Sequence, residues 1–232
     1  MRVMKAVLTR LKSRKSISGI LPGINLSSLI TSKECQLRVI EPSFANGNVT
    51  IYELMAIILL VQARQPKSLF EIGTFDGRTT LNLAANSPQE AHVHTLDLPN
   101  TGLEQTRFRL EEIEKKYIDK PVSGSRLLGR PEASKVTQLY GDSATFDFSP
   151  YLNQIDFVFV DASHAYQYVL SDSRKALQLL RRGKGAILWH DYNRSDCWPG
   201  VTQALDELYS HSPEFSQMKQ IEGTSLVCLV VD

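Results

Sequence analysis

Residues 68–79 read Ser68-Leu69-Phe70-Glu71-Ile72-Gly73-Thr74-Phe75-Asp76-Gly77-Arg78-Thr79. A short apolar run ends in an acid and a glycine, and helical spacing resumes through Leu81 and Ala84 until Asn86-Ser87-Pro88 stops it. The stretch reads as strand, tight turn and helix start. Gly73 lets the backbone turn sharply, and Gly77 lets a ligand or a helix come close. A dinucleotide loop would carry G-x-G-x-x-G, so that a pyrophosphate rests on the helix N-terminus. Here two glycines are separated by three residues, and an acid at the strand end would repel a pyrophosphate. No Gly-Lys-Ser/Thr follows, which excludes a Walker A loop.

The same alternation extends in both directions. Upstream, Thr50 and Glu53 form a capping box ahead of Leu54, Ile57, Ile58 and Val61 on one helical face, and Pro66 ends that helix. Downstream, strands are expected at 92–96, 136–140, 155–160 and 186–189. Thr101 and Glu104 form a second capping box, with Leu103, Leu110 and Tyr117 lining a helix, and 119–135 reads as a long loop. Val169, Ala176, Leu177 and Leu180 line the helix after the fourth strand, with Gly183 as its C-terminal cap, and Pro199 opens the last helix. Two final strands, near 215–220 and 225–231, are joined by Glu222-Gly223-Thr224 as an antiparallel hairpin near one edge. Alternating strands and helices predict a doubly wound α/β domain, here a mostly parallel seven-stranded sheet with an antiparallel C-terminal hairpin.

Composition narrows the function classes. The chain of 232 residues is 42% apolar, enough for one full core without disulfides or a structural metal. A net charge of +1 argues against nucleic acid as a partner. Cys35, Cys197 and Cys228 form no paired motif, and a reducing cytoplasm suits them. The longest apolar run, Met55 to Val61, is far too short to span a bilayer. Residues 1–45 read as a basic N-terminal extension carrying Arg2, Lys5, Arg10, Lys12, Arg14, Lys15 and Lys33, and 46–232 as the folded domain. The extension lacks the apolar core of a secretory signal. A loosely packed tail is the expectation, with weak peripheral membrane contact as its alternative.

Polar residues fall at the carboxyl ends of the strands: Glu71-Ile72-Gly73, Asp97, Gly141-Asp142, Asp161 and His190-Asp191. Open α/β sheets bind ligands at that edge, near the switch in strand order. A carboxylate in the place of Asp97 can accept both hydroxyls of a ribose.

The segment Glu71 to Gly77 resembles motif I of class I S-adenosylmethionine-dependent methyltransferases. Asp97 matches the acid after their second strand, and Gly141-Asp142-Ser143 the segment after the third. The run Ile155-Asp156-Phe157-Val158-Phe159-Val160-Asp161-Ala162-Ser163-His164-Ala165-Tyr166, with Trp189-His190-Asp191-Tyr192 later, is similar to the type 24 branch, related to macrocin-type sugar O-methyltransferases and cephalosporin hydroxylase-like proteins. The resemblance covers roughly residues 45–232. It implies a Rossmann-like fold and S-adenosylmethionine as cofactor. Glu71, Gly73 and Gly77 would shape the methionine and ribose part, Asp97 would hold the ribose, Asp142 and Ser143 would border the adenine, and Thr74, Phe75 and Asp161 would also bind the cofactor. Methyl transfer to a hydroxyl of a small molecule, such as a sugar or natural product, is the implied reaction. A nicotinamide-dependent oxidoreductase and a non-catalytic cofactor-binding module are the alternatives.

His164, Asp161 and Asp191 are the catalytic candidates. His164 follows a strand-end aspartate by three residues, in a loop facing the ligand crevice, as a base or as a hydrogen bonder that orders the loop. Metal-dependent members of the wider group place two acids after the fifth strand, where this chain has His190-Asp191. Asp161, His190 and Asp191 are therefore candidate ligands of a divalent cation. Carboxylates favour magnesium, and a histidine ligand tilts the site towards manganese, iron or zinc. A metal-free base, His164 oriented by Asp191, stays open beside it. Tyr166 and Tyr192 could line a substrate pocket, Arg126 and Arg130 could steer an anionic substrate, and a homo-oligomer is left open.

Overall fold

The computed structural model describes residues 18–30, 36–194 and 196–231. The basic residues of the extension named above, and Cys35, lie outside the described residues, and so does any contact of that arm with a membrane.

Helix α1 (Ile51–Arg64) begins at the expected capping box, the Thr50 N–H donating to Glu53 at 2.9 Å. Strand β2 (Ser68–Ile72) and helix α2 (Arg78–Asn86) follow, then β3 (His92–Asp97), β4 (Val136–Tyr140), β5 (Phe157–Val160), α4 (Tyr166–Leu179), β6 (Gly185–Trp189), α5 (Pro199–His211), β7 (Lys219–Ile221) and β8 (Val227–Val231). Two further elements, β1 (Gly23–Ile24) and α3 (Lys115–Ile118), complete the set.

The sheet runs β1-β7-β8-β6-β5-β2-β3-β4, parallel except where β8 lies antiparallel to β6 and to β7. Among the described residues it therefore has eight strands rather than the expected seven. The extra one is β1, paired parallel to β7, so residues 18–30 do not hang loose but add an edge strand. Residues 36–40 also pack on the domain, where Asn86 and Asn82 accept the N–H groups of Arg38 and Ile40 at 2.9 and 2.8 Å.

Strand alternation sends side chains to two cores. Leu69, Phe157, Phe159 and Leu188 meet Leu54, Ile57 and Leu60 of α1 and Leu83 of α2 on one face. Phe70, Ile72, Val158, Val160 and Ile187 meet Val169 and Ala176 of α4 and Val201 and Leu205 of α5 on the other. Leu54, Ile57 and Leu60 are completely buried, so cutting any of them to alanine costs about 2–5 kcal/mol.

The strand order reverses between β2 and β5, which opens the crevice predicted for the ligand. Gly73 sits at that switch with φ +106°, and a Cβ there would lie 2.1 Å from the Asp161 carbonyl oxygen. The glycine is required by the contact of two loops.

The helix expected over 101–117 does not form. Short 3-10 turns at Asn100–Gln105 and Glu112–Glu114 precede the single turn of α3, and the capping box is Glu111–Glu114 rather than Thr101–Glu104. The Arg107 N–H donates to Asp142 at 2.7 Å, and Leu110 packs against Ala165 and Tyr168. Tied at both points, the segment spans the crevice and gives up its own helical ladder.

Candidate active site

A cavity of about 360 Å³ lies over the carboxyl ends of β2 to β6, walled on the open side by residues 97–120 and by loop 44–50. Gly73, Phe75, Asp97, Asp142, Ser143, Asp161, His164, His190 and Asp191 all line it, so nine of the sequence candidates converge.

Of the candidates for catalysis, cofactor or metal, three do not line it. Glu71 lies on the same side of β2 as Leu69, facing α2, where its carboxylate accepts from the Thr80 hydroxyl and, at 2.6 Å, from the Thr95 hydroxyl. Burial pushes the Glu71 pKa up to about 8. Thr74 turns inward to Thr95, 2.6 Å between hydroxyls, and to the Gln138 amide at 3.0 Å. Gly77 caps α2 with φ +87°, and the close approach it allows is by Gly124 of the covering loop, whose Cα would stand 3.0 Å from an added Cβ.

Asp97 is held by its surroundings. It accepts the Phe75 N–H at 3.3 Å and the Ser123 hydroxyl, and Lys120 Nζ pairs with it at 2.7 Å. Asp142 anchors its own turn through the Ala144 N–H at 3.0 Å as well as holding Arg107.

The floor of the cavity is a cluster of two imidazoles and four carboxylates. His164 Nε2 lies 2.8 Å from Asp191 and 3.9 Å from Asp161, and its Nδ1 lies 3.0 Å from Glu114, which also accepts the His164 backbone N–H. His190 Nδ1 lies 3.2 Å from Asp161 and 3.3 Å from Asp191, and its Nε2 lies 3.3 Å from Glu53. Each ring thus turns one nitrogen to the Asp161–Asp191 pair and rests the other on a carboxylate from a distant segment. Burial opposes charge on His164, but Asp191 and Glu114 outweigh it and lift the pKa to about 9. Burial likewise opposes charge on His190, yet Asp161 and Asp191 raise its pKa well above the ordinary value. At Asp191 and Glu53 burial opposes the carboxylate, and the histidines hold both acids far below the usual range. Even with both rings protonated the cluster keeps an excess of two negative charges, partly offset by Arg194 at 3.7 Å from Asp191.

Asp161, His190 and Asp191 offer ligand atoms within 4.8 Å of one another. The donor set fits a divalent cation that accepts both oxygen and nitrogen. Glu53, the carboxylate behind His190, would orient that ring as outer partners commonly orient ligating histidines.

Glu53 and Glu114 escaped the sequence reading, which placed Glu53 only in a helix cap and gave Glu114 no role. Glu53 does both tasks: one oxygen serves the cap and His190, and the other accepts the Ser225 N–H at 2.9 Å. Trp198 was also missed. It stacks on His164, 4.0 Å between centroids and 20° between planes. Arg126 and Arg130 face no substrate path, because they pair with Glu41, and Arg126 also with Asp76 at 2.7 Å. Neither Tyr166 nor Tyr192 lines the cavity: Tyr166 bonds Glu207, and Tyr192 is fully buried.

A family model described as a methyltransferase domain matches residues 70–192, just over half of the chain. No curated protein matches it. Among solved structures, the chain is similar to the O-methyltransferase TomG from Streptomyces achromogenes, involved in tomaymycin synthesis and solved with SAM. The TM-score is 0.57 at 21% identity, over 82% of this chain and 84% of that one. It is also similar to the SAH-bound methyltransferase PaMTH1 from Podospora anserina, with TM-score 0.53 at 18% identity, over 81% of each chain. At these identities the likeness is one of fold.

Proposed function

The chain belongs to the methyltransferase-domain family, and from that premise we propose that it moves the methyl group of S-adenosylmethionine to a hydroxyl oxygen of a small molecule such as a sugar or natural product. The observation that carries the oxygen acceptor is His164, clasped by Glu114 and aimed at Asp191 on the cavity floor. Bound S-adenosylmethionine supplies a methyl group made electrophilic by its sulfonium. Asp97 holds the ribose in this reading, Asp142 and Ser143 border the adenine, and the negative floor favours the sulfonium over its neutral product. The residues align two reactants and keep water out, which can supply much of the rate gain.

The acceptor hydroxyl must lose its proton as oxygen bonds to the methyl carbon and the carbon–sulfur bond breaks. Two overlapping sets of the floor residues can promote that loss. In the first, Asp161, His190 and Asp191 would hold a divalent cation, magnesium or manganese, whose charge would supply the stabilisation that lowers the pKa of an acceptor hydroxyl. The surplus of carboxylates over imidazoles favours it. In the second, the His164–Asp191–Glu114 cluster takes the proton itself, once His164, whose pKa its two carboxylate partners lift to about 9, has released its own. The described free cysteines, Cys197 and Cys228, suit the cytoplasm proposed for the protein. Among the described residues no helix is long and apolar enough to cross a membrane.

Labelled S-adenosylmethionine offered with a panel of sugars, phenols and other hydroxylated metabolites tests the reading. Label in an alkali-stable ether supports it, whereas transfer to amines alone overturns the oxygen assignment. Metal analysis and turnover after exhaustive chelation separate the two arrangements. Full activity without metal, with an inactive His164→Ala, selects the second.

A further inference from the structure

The turn that carries Asp191 runs through an uncommon conformation. Asp191 and Asn193 have φ of +63° and +62°, the left-handed region that side chains other than glycine enter only when their surroundings over-determine it. Between them Tyr192 is completely buried, its N–H donating to the Ser225 carbonyl at 3.0 Å and its hydroxyl to Asp206 at 2.5 Å. The Asn193 N–H donates to the Thr202 hydroxyl at 3.0 Å.

Three further contacts of this turn and its partner Asp206 come from the N-terminal segment. The Leu21 N–H donates to the Tyr192 hydroxyl at 3.0 Å, and the Gly19 N–H to Asn193 Oδ1 at 2.6 Å. The Ile20 N–H donates to Asp206, the same carboxylate that takes the Tyr192 proton, at 3.2 Å. Three consecutive backbone donors are thus spent on the turn and its partner. Beyond them, β1 pairs with β7, and Asn193 Nδ2 reaches Gln220 Oε1 on β7 at 2.8 Å. The fit at Gly19 leaves no room: an added Cβ would lie 2.0 Å from the Tyr192 oxygen.

We propose that Gly19, Ile20 and Leu21 are positioning residues for the reactive centre, a brace that holds the left-handed turn and through it the aim of the Asp191 carboxylate at His164. The proposal rests on the placing of Asp191 in that centre. Without the brace, the Tyr192 hydroxyl keeps only Asp206, the Asn193 side chain keeps only Gln220, and the turn can relax towards the common right-handed region. Asp191 then swings away from His164 Nε2. The cofactor half of the cavity hangs on β2, β3 and β4 and is untouched.

The full chain carrying Gly19→Val, with Tyr192→Phe as a milder second variant, tests this after exhaustive chelation. NMR reads the exchange of the His164 ring N–H with water, assigned through His164→Gln, and calorimetry reads S-adenosylhomocysteine binding. Gly19→Val is expected to speed ring exchange at least about tenfold, because a hydrogen bond freed by local opening loses protection. Tyr192→Phe should shift it in the same direction by less, with S-adenosylhomocysteine affinity within about threefold of the unaltered protein in both, because the two half-sites share no brace contact. Unchanged ring exchange in whichever variant is folded overturns the brace. A failure of the methyltransferase reading shows differently, as absence of S-adenosylhomocysteine binding in the unaltered protein.

Discussion

The carboxylate of Glu114 grips His164 twice, at the backbone N–H and at ring Nδ1, although the two residues lie fifty positions apart. The ring is therefore oriented by the segment that covers the cavity as well as by the strand end that carries it. Glu114→Gln keeps the shape and removes the charge. Methyl transfer to the acceptor found in the panel should fall about 10–100-fold, the range seen when an outer partner of a functional histidine is lost. S-adenosylhomocysteine affinity should stay near that of the unaltered protein. An unchanged rate would reduce Glu114 to a strut.

Asp97 faces the cavity with Lys120 and Ser123 already on its carboxylate. If it receives the ribose, Asp97→Ala loses hydrogen bonds to a charged acceptor, a loss of roughly 2–4 kcal/mol in S-adenosylhomocysteine binding. Calorimetry measures it directly, and equal affinity in the variant would remove Asp97 from the cofactor site.

Two buried acids on opposite faces of the sheet add to a fall of stability with rising pH that the raised pKa values of His164 and His190 also produce. Burial lifts Glu71 to about 8 and Asp172 to about 7. A raised carboxyl pKa means the folded protein binds the proton more tightly than the unfolded chain does. Stability from these groups is full below the ordinary carboxylate range, falls as pH rises from about 4 to 8, and levels off above. Melting temperatures recorded from pH 5 to 9 should show that decline. Glu71→Gln should flatten it and make the variant the more stable protein at pH 9. A steeper decline in the variant would contradict the assignment.

Gly73→Ala places a methyl group against the Asp161 carbonyl in a left-handed conformation. Both partners are backbone, so no side chain can step aside. The cost should reach at least about 3 kcal/mol, combining overpacking and conformational strain. Urea denaturation reads it, and a cost below 1 kcal/mol would show that the two loops move apart more freely than they pack.

The strand ends were legible because each apolar run stops at a polar residue, and Asp97, Asp142, Asp161, His190 and Asp191 all reach the cavity they were expected to share. Glu71 was misread although the signal was present: it shares a strand face with Leu69, which points to the helix α2 side. The helix over 101–117 failed for a reason that local spacing does not contain, since Asp142 and Tyr168 pull the segment across the crevice. Glu53 and Glu114 carry sound local roles as capping residues, and only tertiary contacts give them a second one. Strand β1 has two residues and no periodicity to read.

The covering segment touches Asp97 through Lys120 and Ser123, and His164 through Glu114. A displacement of that segment as a whole would therefore loosen the ribose side and the histidine side together, so the two halves of the cavity share one mechanical support.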